Sequence, residues 1–197
     1  MSIKIKLRNV RLSYEHIFTP SAFDDSQDPK YSATLIIPKD HPDSPAIRRA
    51  MLRVGAEKWP TAFNGKGWPA GYTCALKDGD KDKNQDGVLL SEKNPEYAGA
   101  YVLKADSTRR PLVIGRRKEA LTEADGVIYS GCYVNVSLGV ADYEFGKVKK
   151  GVKCYLNGVQ FVQDGERFGS DAMSDFDELD DEDSNNYDDL LGDDLPF

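Results

Sequence analysis

The segment KADSTRRPLVIGRRK, residues 104–118, sets Lys104, Arg109, Arg110, Arg116, Arg117 and Lys118 against a single acid, Asp106. Cations packed into one hairpin-sized piece are suited to tracking a polyanionic backbone. Upstream, residues 59–87 (WPTAFNGKGWPAGYTCALKDGDKDKNQDG) carry Trp59, Phe63, Trp68 and Tyr72 in a stretch too rich in Gly, Pro, Asn and Asp for long regular elements, and Tyr101 follows. Binding a single strand without reading its sequence needs two things: cations for the phosphates and flat side chains on which any base can stack. The expected phosphate contacts are therefore Lys104, Arg109, Arg110, Arg116 and Arg117, and the expected stacking faces are Trp68, Tyr72 and Tyr101. Gly and Pro tilt Trp68 and Tyr72 outward, whereas Tyr129, Tyr133 and Tyr155 lie in β-prone runs and are expected to pack.

Other chemistries find less in the sequence. No GxxxxGK[ST] string occurs, so a phosphate-binding loop for nucleotide hydrolysis is excluded. Residues 82–87 (DKNQDG) match the first half of a calcium loop, but the position of the bidentate acid is Lys93 and the flanks are not helical. Asp78, Asp80, Asp82 and Asp86 cluster as a metal-dependent nuclease would require, yet they alternate with Lys77, Lys81 and Lys83 in a turn-rich stretch that reads as surface loop. His16 and His41 have no second metal ligand at helical spacing, and Cys74, Cys132 and Cys154 form neither a disulfide framework nor a CxxC knuckle. No cofactor, metal or catalytic residue is expected. A metal-dependent nuclease stays open as one rival reading, and an acidic-tail interaction protein without nucleic-acid binding as another.

The elements that must position the basic and aromatic residues occupy 197 residues, enough for one domain and an appendage. Charge divides them. Residues 171–197 hold twelve acids and no Lys or Arg, so the overall −7 splits into a body of +5 and a tail of −12. Such a tail is expected to be disordered, since it buries too little apolar surface to offset its ordering entropy and its charges repel. Phe176, Leu179, Tyr187, Leu190 and Leu191 punctuate it, and it finishes Asp193-Asp194-Leu195-Pro196-Phe197, which reads as a docking peptide. Domain limits of 1–170 and 171–197 follow. No apolar run is long enough for a membrane span and the start lacks the order of a signal peptide, so a cytosolic protein is expected.

Within the body, Ile3, Ile5 and Leu7 alternate with Lys4, Lys6 and Arg8, then the phase shifts at Asn9 before Val10 and Leu12, predicting a bulged strand. YSATLIIP (31–38) predicts a second strand. Ser44 is a candidate N-cap, Pro45 suits a first turn, and Ile47, Ala50, Met51 and Val54 share one face, predicting a helix that ends near Lys58. Further strand-like runs span 100–105, 111–114, 127–140 and 151–163. One helix with six or seven strands favours a small antiparallel barrel, because parallel strands would need helical crossovers.

Taken in order, YSATLIIPK (31–39) before the Ser-Pro helix, Asp78-Gly79-Asp80-Lys81, Ala105-Asp106-Ser107 to Arg110-Pro111, Ile128 to Tyr133, Gly151-Val152, Leu156 to Gln160 and Asp164-Gly165-Glu166 resemble the bacteriophage single-stranded-DNA-binding proteins with one OB-fold and an acidic tail ending in phenylalanine. The resemblance covers nearly the whole chain. It implies a mainly β fold, a five-stranded Greek-key barrel with an inserted helix and long loops, acting in phage DNA replication, recombination and repair in the host cell cytoplasm. It also implies that the tail contacts replication proteins: polymerase, primase-helicase or nuclease. A tail able to lie on its own body can equally lie on a neighbour's, so monomer and homodimer both fit the sequence.

Overall fold

The computed structural model describes residues 2–22, 28–65, 67–146 and 149–168. The expected tail, with Asp193, Asp194, Leu195 and Phe197, lies outside the described residues. Strand β1 (Ser2–Ser21) pairs antiparallel with β2 (Lys30–Pro38), and helix α1 (Ser44–Lys58) follows. A long excursion contains the short strands β3 (Thr73–Cys74) and β4 (Leu76–Asp78) and the four-residue helix α2 (Leu90–Lys93). Then come β5 (Ala100–Ser107), β6 (Leu112–Ile114), β7 (Tyr133–Phe145) and β8 (Lys149–Gln163).

Five of these strands close a Greek-key barrel of the OB type in the order β1-β2-β5-β8-β7, with β7 returning to β1. The interior is built by alternation. Leu7, Val10 and Leu12 of β1, Leu35 and Ile37 of β2, Leu103 of β5, Val136 and Leu138 of β7, and Val152, Cys154 and Leu156 of β8 are all buried. The phase shift at Asn9 is a bulge: Leu7 pairs with Val136 and Val10 with Val134, so two residues of β1 oppose Asn135 alone. Asn9 adopts φ 52°, its amide donates to Asn135 Oδ1 at 3.0 Å, and both apolar neighbours therefore face inward.

Helix α1 covers one end of the barrel with Ile47, Ala50, Met51 and Val54. Its N-cap is Asp43, one residue before the expected Ser44, which instead is buried in the first turn. Asp43 accepts a 2.9 Å hydrogen bond from the Arg8 amide, so the helix start is tied to β1. The run at 127–140 also begins later than its composition predicts: a turn at Ser130–Gly131, with φ 114° at the glycine, delays β7 to Tyr133. Among the described residues no helix is long and apolar enough to cross a membrane.

The expectation of an all-antiparallel barrel is corrected at β8. One edge of β8 pairs antiparallel with β7, and the other meets three parallel partners in turn: β3 at Gly151–Val152, β5 at Cys154–Tyr155 and β6 at Gly158–Gln160. The crossovers need no helix because β6, β7 and the loops between them carry the chain round the barrel. Above the β5–β8 contact the two strands splay, and residues 73–78 fill the seam. Ala75 shows how: its amide donates to Val152 O and its carbonyl accepts from Lys104 N, both at 3.1 Å.

Outside the barrel, Ile36, Ala100 and Val102 form a second apolar patch with Tyr97, Leu90 and Phe168. Phe168 is brought there by a strap, residues 164–168. Arg11 donates from Nε to Gly131 O at 3.2 Å and from Nη2 to Glu166 O at 2.8 Å, and its guanidinium lies 4.2 Å from the Phe168 ring centroid.

The seam generates a stability prediction. A Cβ on Gly151 would overlap the Thr73 carbonyl oxygen and backbone nitrogen. Gly151→Ala should therefore lower unfolding free energy by ~1–3 kcal/mol, the usual range for overpacking, measured by urea denaturation. A variant as stable as the parent would show that β3 is not pressed against β8 in solution.

Candidate nucleic-acid interface

The alternation that fills the barrel also decides what faces out. On β8, Val152, Cys154 and Leu156 point inward, so Lys153, Tyr155 and Asn157 point outward. Tyr155, expected to pack, is instead 37 % exposed. Lys153 Nζ sits 4.3 Å from the centroid of the Tyr155 ring and 3.3 Å from Asp106 Oδ1 on the neighbouring β5, which fixes the aromatic beside a cation. Around this pair opens a cleft of about 920 Å³, lined by Ser2 and Lys4 of β1, Lys30 of β2, Asp106 to Arg109, Gly139 of β7, and Lys153, Tyr155 and Asn157. Its cations Lys4, Lys30, Arg109 and Lys153 outnumber its one acid.

Of the residues expected from sequence, Arg109 lines this cleft. Arg110 is the next exposed residue, and Lys104 is exposed on β5, one position before the Ala105 that pairs with Cys154, as Lys153 is on β8. Arg116 and Arg117 are exposed too, but at the opposite end of β6, in a turn closed by Gly115 N to Glu119 O at 2.9 Å and Arg117 N to Glu119 Oε2 at 2.8 Å. The continuous basic segment of the sequence is thus two clusters, one at each end of β6.

The aromatic residues are placed differently again. Trp59, Phe63, Trp68 and Tyr72 pack on one another, with Phe63 edge-on to Trp68 at 5.0 Å and to Tyr72 at 5.4 Å, and Trp59 edge-on to Tyr72 at 4.9 Å. Trp68 Nε1 donates to Tyr72 O at 2.7 Å. Gly55 makes the cluster reachable from α1, because any Cβ there would collide with the Phe63 ring. Trp68 and Tyr72 are consequently half-buried, which corrects the outward tilt read from their Gly- and Pro-rich surroundings. Lys150 lies 4.4 Å over the Tyr72 ring, at the end of β8 that leads towards Lys153. Tyr101 is half-buried at the far end of β5 from Arg109, flanked by Lys39 and Arg48 at 5.9 and 5.5 Å from its ring centroid.

The carboxylates weighed for metal chemistry have other partners. Lys39 Nζ reaches Asp78 Oδ1 at 2.7 Å and Asp80 Oδ2 at 2.6 Å, and both carboxylates raise its pKa. Lys39, with the Gly99 amide, holds the Asp80 carboxyl below the usual carboxylate range. Asp82 accepts from the Asp78 amide, and Asn84 Oδ1 accepts from the Asp86 and Val88 amides, closing its own turn. Burial pushes the Cys74 thiol up to about 11 and Cys154 to about 12, leaving both protonated at neutral pH.

Sequence reasoning missed Lys4, Lys30, Lys153, Tyr155 and Asn157. The signal for the β8 residues was present: once Val152, Cys154 and Leu156 are taken as the core row, 153, 155 and 157 must face out. Lys4 and Lys30 had none, because they reach the cleft only through barrel closure.

Known proteins share this architecture. Protein p50 of Acyrthosiphon pisum secondary endosymbiont phage 1 is 37 % identical over 185 residues, covering 91 % of this chain and 94 % of p50. The single-stranded DNA-binding protein from bacteriophage Enc34, solved in complex with ssDNA, superposes with a TM-score of 0.64 at 31 % identity, over 84 % of this chain and 89 % of that one. The gp2.5 single-stranded DNA binding protein of bacteriophage T7 shares the fold, with a TM-score of 0.60 at 14 % identity over 90 % of this chain and 97 % of that one. The model of the family described as Enterobacter phage Enc34, ssDNA-binding protein matches residues 3–189, and the chain belongs to that family.

Proposed function

We propose that this protein binds single-stranded DNA without reading its sequence, along the outer face of β5 and β8, in the host cytoplasm during phage DNA replication, recombination and repair. The observation that carries the reading is the cleft in which exposed Tyr155 stands among Lys4, Lys30, Arg109 and Lys153. Cations there neutralise phosphates while the ring offers a face to one base after another. Membership of a family with a member solved on ssDNA supports it. Lys104 and Arg110 extend the phosphate track from the cleft, and Arg116 and Arg117 lengthen it past β6. Trp68 and Tyr72, with Lys150, offer a second stacking area beyond the start of β8, and Tyr101 a third between Lys39 and Arg48. The protein acts by holding a strand, with no catalytic step.

Residues 171–197 are the regulatory part of the reading. With twelve acids and no basic residue, this segment competes with DNA for the +5 body, and DNA binding frees Asp193, Asp194, Leu195 and Phe197 to recruit a polymerase, primase-helicase or nuclease.

Fluorescence anisotropy of a labelled oligothymidine tests both parts. Tyr155→Ala should weaken binding about ten-fold, in line with ~1–3 kcal/mol per stacked base. Arg109→Ala should weaken it and reduce the slope of log K against log salt by roughly 0.7, one single-strand phosphate contact. Unchanged affinity in both variants would remove the strand from this cleft. A chain ending at Ser170 should bind more tightly than the intact protein; weaker binding on truncation would overturn the competing tail.

A further inference from the structure

We propose that residues 188–194 of the acidic tail dock on β6, setting their two leucines over Leu112 and an aspartate pair on the arginine pair at each end of the strand. The proposal rests on the competing-tail reading and gives the tail an address on the barrel.

Strand β6 and its flanks read Arg109-Arg110, then Pro111 to Gly115, then Arg116-Arg117. Pro111 and Val113 are buried, whereas Leu112 is 62 % exposed. Among the described large apolar residues only Phe145 is more exposed. Strand pairing explains why Leu112 stands as a ridge. Lys6 pairs with Ser137, Ser137 with Gly158 and Gly158 with Leu112, so the next positions in this outward row are a glycine and a serine, too small to cover it. A lone leucine on a surface means little by itself. This one lies between four exposed arginines, and among the described residues none of their guanidinium groups has an ion-pair partner, unlike those of Arg8, Arg11 and Arg53. The Glu119 carboxylate in the adjoining turn is taken by the Arg117 amide.

The tail carries the same plan with the charge reversed: Asp188-Asp189, then Leu190-Leu191-Gly192, then Asp193-Asp194. No other stretch of residues 171–197 sets adjacent apolar residues between two acid pairs. Asp188 and Asp194 are six positions apart, as are Arg110 and Arg116, so each segment spans at most about 20 Å and the two can match end to end. Reach is ample. Twenty residues separate Phe168 from Asp188, up to about 66 Å of extended chain, against roughly 40 Å across a domain of this size.

Carboxylates on guanidinium groups form charge-assisted hydrogen bonds and fix where the segment lands, while covering Leu112 removes apolar surface from water. Arg109 also lines the cleft, so a docked tail withdraws one of the cations offered to a strand. Leu112 does not line the cleft, and its loss therefore separates tail from DNA.

Anisotropy of a labelled oligothymidine on the full chain tests the docking as a double-mutant cycle. Leu112→Thr, a residue suited to a strand, and the tail change Leu190→Ser with Leu191→Ser should each tighten oligothymidine binding about five- to ten-fold, because the leucine contact that holds the tail against DNA is gone. Combined, the three substitutions should tighten it no further than either change alone. A thermal melt checks that Leu112→Thr is folded, and Leu112→Ser replaces it if it is not. Parental binding by the ridge variant or the tail variant, or additive gains in the combination, overturns the docking. So does weaker binding by Leu112→Thr, which would make the ridge part of the strand's path. Sedimentation should give the parent and the tail variant the same mass; a dimer that the tail leucine changes disperse would seat a neighbour's tail on the ridge and overturn docking within one chain. If the chain ending at Ser170 binds more tightly than the parent while neither leucine change has an effect, only the address fails; if truncation also leaves binding unchanged, the competing-tail reading fails with it.

Discussion

Closure of the barrel at β8 is the constraint on which everything else depends. A strand of fifteen residues exposes hydrogen-bonding groups along both edges, and an open edge invites pairing with other chains. Strand β7 satisfies one edge along its whole length, while β3, β5 and β6 divide the other. Two of those partners are only two and three residues long, and they exist as strands because β8 offers them an edge. Closure also brings Lys4, Lys30, Arg109 and Lys153 to one cleft although they are scattered over most of the sequence.

This explains which parts of the molecule were legible in advance. Helix α1 could be read because its apolar positions repeat at helical spacing within fifteen residues, and Pro45 marks its start. The bulge at Asn9 was visible as a slip in an otherwise regular alternation. Both signals are local. The parallel contacts of β8 are not, since they join Thr73, Ala105 and Leu112 to residues 40 or more positions away. Tyr155 misled because β-prone composition says that a strand forms without saying which of its two faces a residue takes.

The aromatic loop teaches a complementary lesson. Local composition correctly forbids long regular elements between Trp59 and Gly87, but it does not expose the aromatic residues there. Trp59, Phe63, Trp68 and Tyr72 hold the loop by packing edge to face, and Gly55 gives Phe63 room against the helix. Such pairs add ~0.5–1.5 kcal/mol each beyond the area they bury, enough to order a segment with little secondary structure of its own. The lysine–aspartate knot of Lys39, Asp78 and Asp80 performs a similar task at the next corner, joining the end of β2 to the end of β4.

The strap that ends at Phe168 has a consequence beyond packing. Arg11 grips Glu166 and stacks on Phe168, so every residue that follows in the chain is tethered at one fixed point on the barrel wall. In general, a segment joined to a domain meets that domain at an effective concentration set by the length of the join, about millimolar where the join is short and flexible. Dilution does not change that figure. The competition proposed for residues 171–197 would therefore be set within one molecule and not by how much protein a cell contains, and a ligand arriving from solution would have to overcome it by affinity or abundance.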